Sequence, residues 1–546
     1  MSPQFPADGI QSMYSVYIIS ISVGVTIFSA LILLSKRRAS SAARQITSKP
    51  TKHSVFPTRY PRVKRDPAVV EDYHGELVWD PYRWLEDPDS PETIQFVADQ
   101  NKLADQVLGE CTIRPRYSDK LRQLYNYPKF GCPFKEGQRY YYFFNSGLQP
   151  QSVLYVQDSL GSSARVLLDP NLLSDDGTVA LSRTSFSKDG KFMAFSLSVS
   201  GSDWVTIKVI AITDEGEGQD LEDELKFVKF SCLAWTHDNK GFFYNRYPPQ
   251  ETSDLGTEVE INLNQSLWYH RVGTSQDSDV MCYAVPAHPS WMIAAEVSDD
   301  GRFVLIYIEE GCDPVNRLYY VDLNDVKGIG QGIKVDFATH VVKLVDSFEA
   351  GFTYVANEGE DFVFRTNLSA PNYKLVRTNI KASSPGMVLS AVEPRSWQDL
   401  VPETSAVLEI TASLKGDHLV LAYLKDVRHV LQLHSLRTGA RLKTFALPIG
   451  SIASLTGRRE DSEFFFKMTG FVTAGDIYRV DVANPENCDP VLFRNTKIVG
   501  LDASEFITTQ VFVASKDGTK IPLFISHLKG LKLDQNNICL LYGYGG

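Results

Sequence analysis

The stretch "SKDGKFMAFSL" (187–197) sets a polar turn, Asp-Gly at its centre, against an apolar run rich in aromatics. That is the grammar of a tight turn entering a buried β-strand. The same phrase recurs as "EGQRYYYFF" (136–144), "HDNKGFFYN" (237–245), "SDDGRFVLIYI" (298–308), "FEAGFTYVA" (348–356), "LKGDHLVLAYL" (414–424) and "REDSEFFFKM" (459–468). Copies spaced roughly 45 to 65 residues apart match the span of one four-stranded propeller blade. Several lead into a partner strand, "NRLYYVDL" (316–323), "RHVLQLHSL" (428–436) or "GDIYRVDV" (475–482), as adjacent antiparallel strands of one blade would. The competing account, unrelated hairpins of a β-sandwich, seldom sustains such a period. The fold class is therefore mainly β, with a seven-bladed propeller over about 131–500.

The rest of the composition is compatible. The chain has 546 residues, 43% hydrophobic and 11% aromatic, a globular and β-rich balance. A formal net charge of −11 without a basic stripe argues against a nucleic-acid surface. Seven scattered cysteines without C-x-x-C pairs argue against a disulfide framework or zinc site, and point to a reducing compartment. The histidines lack metal-ligand spacing, so no metal or other cofactor is expected.

The front of the chain differs. Following a short tail (1–13), residues 14–34 carry no charge, and as a helix would rise about 31 Å, enough to cross a bilayer core. Lys36, Arg37, Arg38, Arg44 and Lys49 follow, so a membrane span there would leave the body in the cytosol. A signal peptide is the rival, but it would need a basic region before the apolar run. Residues 35–54 read as a linker. A helix is expected from Ser90 as N-cap and Pro91 at its first position, through Ile94, Val97, Ala104, Val107 and Leu108, to Gly109.

Several longer motifs now acquire meaning together. "DPYRWLEDPDSPE" before the repeats, "VKFSCLAWTHDNKGFFYN" and "GCDPVNRLYY" within them, and "SKDGTKIPLFISH" and "LLYGYGG" after them resemble prolyl oligopeptidase, a serine peptidase family that cuts short peptides after proline. The resemblance runs from about residue 55 to the end. It implies an α/β-hydrolase domain with a seven-bladed propeller inserted near its start. Residues 55–130 and 501–546 would then belong to the hydrolase, whose sheet would begin with the strand-like runs "FITTQVFVAS" (506–515), "KIPLFISH" (520–527) and "ICLLYGY" (538–544). The unbroken apolar run from Ile538 to Leu541 reads as a strand covered on both faces.

An α/β-hydrolase carries its nucleophile on a G-x-S-x-G elbow, followed in order by the acid and the histidine. No such elbow occurs in the 546 residues, so the chain alone is expected to be inactive. By the resemblance, Tyr544 in the glycine turn would donate to the oxyanion, and Phe230, Met292 and Cys312 would line the proline-binding pocket from the propeller side. Without the resemblance, these three would read as ordinary core residues and Tyr544 as a turn tyrosine. The propeller would gate access, the partners would be short proline-containing peptides rather than nucleic acid, and the molecule would be a monomer. The alternative is a membrane-tethered propeller that binds peptides or proteins without cutting them. A dipeptidyl peptidase of the wider superfamily fits the propeller motifs less well.

Overall fold

The computed structural model describes residues 60–249, 262–326, 328, 337–380 and 397–543. These form two compact units, 60–125 and the described residues from 126 onward. The uncharged run 14–34 and Tyr544 lie outside the described residues. Among those described, no helix is long and apolar enough to cross a membrane.

In the smaller unit, Val70–Tyr73 pairs antiparallel with Glu76–Trp79 around a two-residue turn, His74 and Gly75, both at positive φ as such a hairpin turn requires. Helix α1, Pro91–Gly109, begins as the sequence predicts. Ser90 Oγ accepts from the Thr93 N–H at 3.2 Å and Pro91 occupies the first turn, where a missing N–H costs nothing. The hairpin and the second helix, α2, Arg114–Tyr125, were not foreseen, because α2 is mostly polar and offers little periodic apolar signal.

The larger unit contains seven antiparallel sheets in chain order, spanning 129–168, 179–229, 233–284, 292–345, 352–401, 407–444 and 451–494. Six have four strands; the first has a split inner edge, because Lys129–Phe130 and Phe134–Glu136 both pair with Arg139–Asn145. First strands of neighbouring sheets lie side by side at most of the junctions, the seventh with the first included, as around a propeller axis. Among the described residues every blade draws its strands from its own stretch of the chain, and none is exchanged between the first and the last.

Six of the seven quoted phrases form the turn into a blade's second strand and that strand itself, and the three partner runs are third strands. The exception is "FEAGFTYVA", which enters the first strand of the fifth blade, Phe352–Glu358. That blade's own turn holds Gly359 at φ 60°. Gly351 imitates the repeat for a different reason: a Cβ there would sit 2.7 Å from the Pro314 carbonyl oxygen.

The turn chemistry repeats. Ser187, Thr236 and Ser298 each donate a hydroxyl hydrogen to the carboxylate two residues on, Asp189, Asp238 or Asp300, at 2.6–2.7 Å. Each carboxylate also accepts the N–H of the residue two further along, at 3.1 Å. These side chains satisfy backbone groups that neither strand can reach. Gly190 brings its turn against that of the first blade, where a Cβ would lie 3.1 Å from Gly137.

Apolar side chains interlock between neighbouring blades, one cluster per junction. Phe243, Ile293 and Ile306 join the third and fourth blades, and Phe303, Phe352 and Phe364 the fourth and fifth. Six junctions bury at least eight apolar residues each. The junction of the first and seventh blades buries three, Cys132, Phe465 and Ile477. Polar ties cross there as well: Lys135 pairs with Asp461 at 2.8 Å, Arg458 reaches both Asp461 and Glu136, and Lys467 donates to the Phe130 carbonyl at 2.9 Å.

After the seventh blade, Phe506–Ala514 and Lys520–Leu528 form a hairpin, with the Phe524 ring tilted against Phe471 at 5.4 Å. The third expected strand does not form. Residues 538–543 have no strand pairing, and Ile538 is 88% and Leu541 81% exposed. A strand apolar on both faces needs a neighbour and a cover, and the described residues supply neither. An α/β-hydrolase sheet is therefore not present in the described part of the chain.

Candidate substrate-facing mouth of the propeller

The inner strands all run the same way, so each blade presents the start of its first strand at one end and its first turn at the other. Phe230 precedes the inner strand Leu233–Trp235, and Met292 opens the inner strand Met292–Val297. Cys312 follows the second strand Phe303–Glu309, which runs antiparallel and ends opposite Met292. All three predicted pocket residues thus stand at the same end of the third and fourth blades.

Phe230 is held in the left-handed region, φ 52°, and is 47% exposed. An aromatic in that conformation is uncommon and needs support. Gln265 supplies it from a buried position. Its Nε2 donates to the Lys229 carbonyl at 3.0 Å and the Phe230 carbonyl at 3.4 Å, while its Oε1 accepts the Ile293 N–H at 2.7 Å. One amide therefore links the Phe230 turn to the residue next to Met292. Lys229 Nζ lies 5.4 Å from the Phe230 ring and 5.2 Å from that of Trp204, giving the exposed aromatic a cationic neighbour.

The residue before Met292 is buried among rings. Trp291 stacks on His288 with centroids 3.7 Å apart and meets Phe348 edge-on at 5.0 Å. The Arg317 guanidinium lies between Trp291 and Phe348, 4.5 and 4.7 Å from their rings, and is ion-paired with Asp346. Cys312 is exposed and free. The pattern of residues did not reveal Gln265, because a glutamine ahead of a strand carries no distinguishing signal. Replacing Gln265 with Leu would strand one buried backbone group, the Ile293 N–H, and two partly buried carbonyls. Urea unfolding should show a loss of about 2–3 kcal/mol; an unchanged midpoint would remove Gln265 from this role.

The opposite mouth is chemically different. The turns there bring Lys188 onto Glu460, with Asp299, His237, Arg459 and Glu136 within electrostatic reach. Burial lifts the Asp299 carboxyl to about 6 and the Glu136 carboxyl to about 7, the latter against the pull of Arg458. Elsewhere, a recess of about 90 Å³ between the fifth and sixth blades, lined by Glu358, Asp361, Arg377 and Arg437, is well under the size that holds a peptide. Among the described residues no group of His, Cys, Asp and Glu could hold a metal ion.

These features define a seven-bladed propeller closed by side chains, with an apolar rim at one mouth and a charged girdle at the other. Residues 61–488 match the family model described as the prolyl oligopeptidase N-terminal beta-propeller domain, and the chain belongs to the prolyl oligopeptidase family. It is 34% identical to prolyl oligopeptidase A of Galerina marginata over 520 residues, covering 90% of this chain and 67% of that protein. It is 31% identical to a prolyl endopeptidase of Elizabethkingia miricola, covering 89% of this chain and 64% of that one. Among solved structures, a mutant of prolyl oligopeptidase B from Galerina marginata bound to a 35mer hydrolysis and macrocyclization substrate superimposes with a TM-score of 0.76 at 32% identity, over 87% of this chain and 66% of that one. The chain spans about two thirds of the length of these relatives.

Proposed function

We propose that this chain supplies the propeller and the substrate-facing rim of a serine endopeptidase that cleaves short peptides after proline. The observation carrying this reading is the convergence of the Phe230, Met292 and Cys312 segments on one mouth, pinned by Gln265. An apolar rim with soft and aromatic side chains suits a pyrrolidine ring, which has little to hydrogen-bond. Relatives named as prolyl oligopeptidases and prolyl endopeptidases support the same substrate class. Residues 55–130 and 501–546 are assigned to the hydrolase domain, and Tyr544 to the oxyanion donor. The nucleophile, acid and base are residues these 546 do not contain, since no G-x-S-x-G occurs among them. The propeller limits entry to short, unstructured peptides and keeps water from the closed chamber.

A clean preparation of the 546 residues should give no turnover of a proline-containing fluorogenic peptide. A longer product of the same gene carrying an elbow serine should cleave it after proline. Serine-reagent-sensitive hydrolysis by the 546 residues alone would overturn the assignment of the missing triad, and a longer product that ignores proline would overturn the substrate class.

A further inference from the structure

We propose that Glu309 is a specificity-determining residue of this mouth, selecting peptides with a lysine or arginine on the residue that lies against Met292. This rests on reading the mouth as the peptide site.

Glu309 is the last residue of the strand Phe303–Glu309 and stands directly opposite Met292 in the antiparallel register. Opposed residues share a sheet face, with Cβ atoms about 4.5–5.5 Å apart. The carboxylate thus shares the rim with Met292 and lies three residues before Cys312. The register alternates, so Met292 and Glu309 project away from Ile293 and Ile308, which pack toward the third blade.

The carboxylate has no ion pair or hydrogen bond among the described residues. The cation closest in register does not serve it: Arg317 stands opposite Ile308, on the other face, and is paired with Asp346. Lys343 is likewise paired with Asp346, at 2.9 Å. Burial pushes the Glu309 carboxyl above its ordinary range, with no compensating partner. A half-buried carboxylate is costly until an opposite charge arrives. In a peptide-binding rim, that charge is a cationic side chain on the substrate. The apolar stem of lysine or arginine would lie along Met292 while its head reaches Glu309.

The test uses a longer product of the gene that carries the elbow serine, with hexapeptides containing one proline and either lysine or norleucine placed in turn at each position before it. At one position, lysine should raise kcat/KM about tenfold over norleucine, the size of one charge-assisted contact. Glu309→Gln should reduce that ratio to near unity. Glu309→Lys should invert the preference toward a glutamate at the same position, which guards against a misfolded neutral variant. Prolyl cleavage without a lysine preference, or with one that survives Glu309→Gln, overturns the inference and leaves the family reading standing. Absence of any prolyl cleavage overturns the family reading and the inference with it.

Discussion

His270→Ala is expected to lower the unfolding free energy of the propeller by about 3–5 kcal/mol. The imidazole is fully buried in the third blade, with Nε2 2.8 Å from Asp223 Oδ1 and Nδ1 2.7 Å from Asp279 Oδ1, and both carboxylate side chains are fully buried. Tyr244 OH donates to the other oxygen of Asp279 at 2.7 Å, and the Gly273 N–H donates to Asp223 at 2.7 Å. Two carboxylates share one cation, so truncating the cation leaves both without their charge partner in a region of low dielectric. Removing all three ionisable groups together, with apolar residues of matching volume, should cost less than removing the histidine alone. Urea titration of the single and triple variants decides this; a His270→Ala midpoint within error of the parent would refute it.

The cluster also carries a pH signature. Burial, the largest influence on His270, pushes it down, but hydrogen bonds to Asp223 and Asp279 outweigh that and raise it to about 9. An unfolded histidine titrates near 6.5, so the stabilisation is complete below that value and fades as pH rises toward 9. Glu136 and Glu296 are lifted to about 7 and Asp299 to about 6, chiefly by burial. Raised carboxyls favour the fold when protonated, so they add stability as pH falls below those values. Both contributions run the same way, and the melting temperature should climb between pH 9 and pH 5. His270→Ala should flatten the upper part of that slope.

The second large effect is expected at Arg458. Its guanidinium holds Asp461 at 2.8 Å within the seventh blade and Glu136 at 3.3 Å across the junction with the first. That junction has the least apolar burial of the seven, so polar ties account for more of its cohesion. Arg458→Ala should cost about 2–3 kcal/mol, less than for a fully buried pair because these groups are partly solvated. The loss should be local. Hydrogen exchange should accelerate in Arg139–Asn145 and Glu463–Gly470 while Phe303–Glu309 keeps its protection. Loss of protection in all three strands to the same extent would show that the junction is no weaker than the others. Coupling with Glu136→Gln should be non-additive, because the Arg458–Glu136 pair contributes to both losses, whereas the Arg458–Asp461 pair is lost only with the arginine.

What could be read from the sequence follows from how each feature is encoded. Blade second strands were legible because a buried antiparallel pair imposes a turn and an unbroken apolar run, repeated as "SKDGKFMAFSL" and "SDDGRFVLIYI". The fifth blade misled because Gly351 is needed for a close approach to Pro314, which looks the same in sequence as a turn glycine. The run Ile538–Leu541 has strand composition but no neighbour to pair with among the described residues, and pairing is decided by tertiary context. At the mouth, Phe230, Met292 and Cys312 are singled out only by the resemblance, since phenylalanine, methionine and cysteine usually mark a core. Gln265, Glu309 and the His270 cluster depend on register between distant strands, which local pattern does not record.

Because each blade is complete within its own length of chain, the order in which blades are strung together is incidental to the ring they build. A short linker from the seventh blade back to the first, with new ends cut between two inner blades, would yield a circular permutant with the same seven sheets. The covalent break would then fall at a junction rich in packed aromatics, and the sparsely packed one would gain a peptide tether.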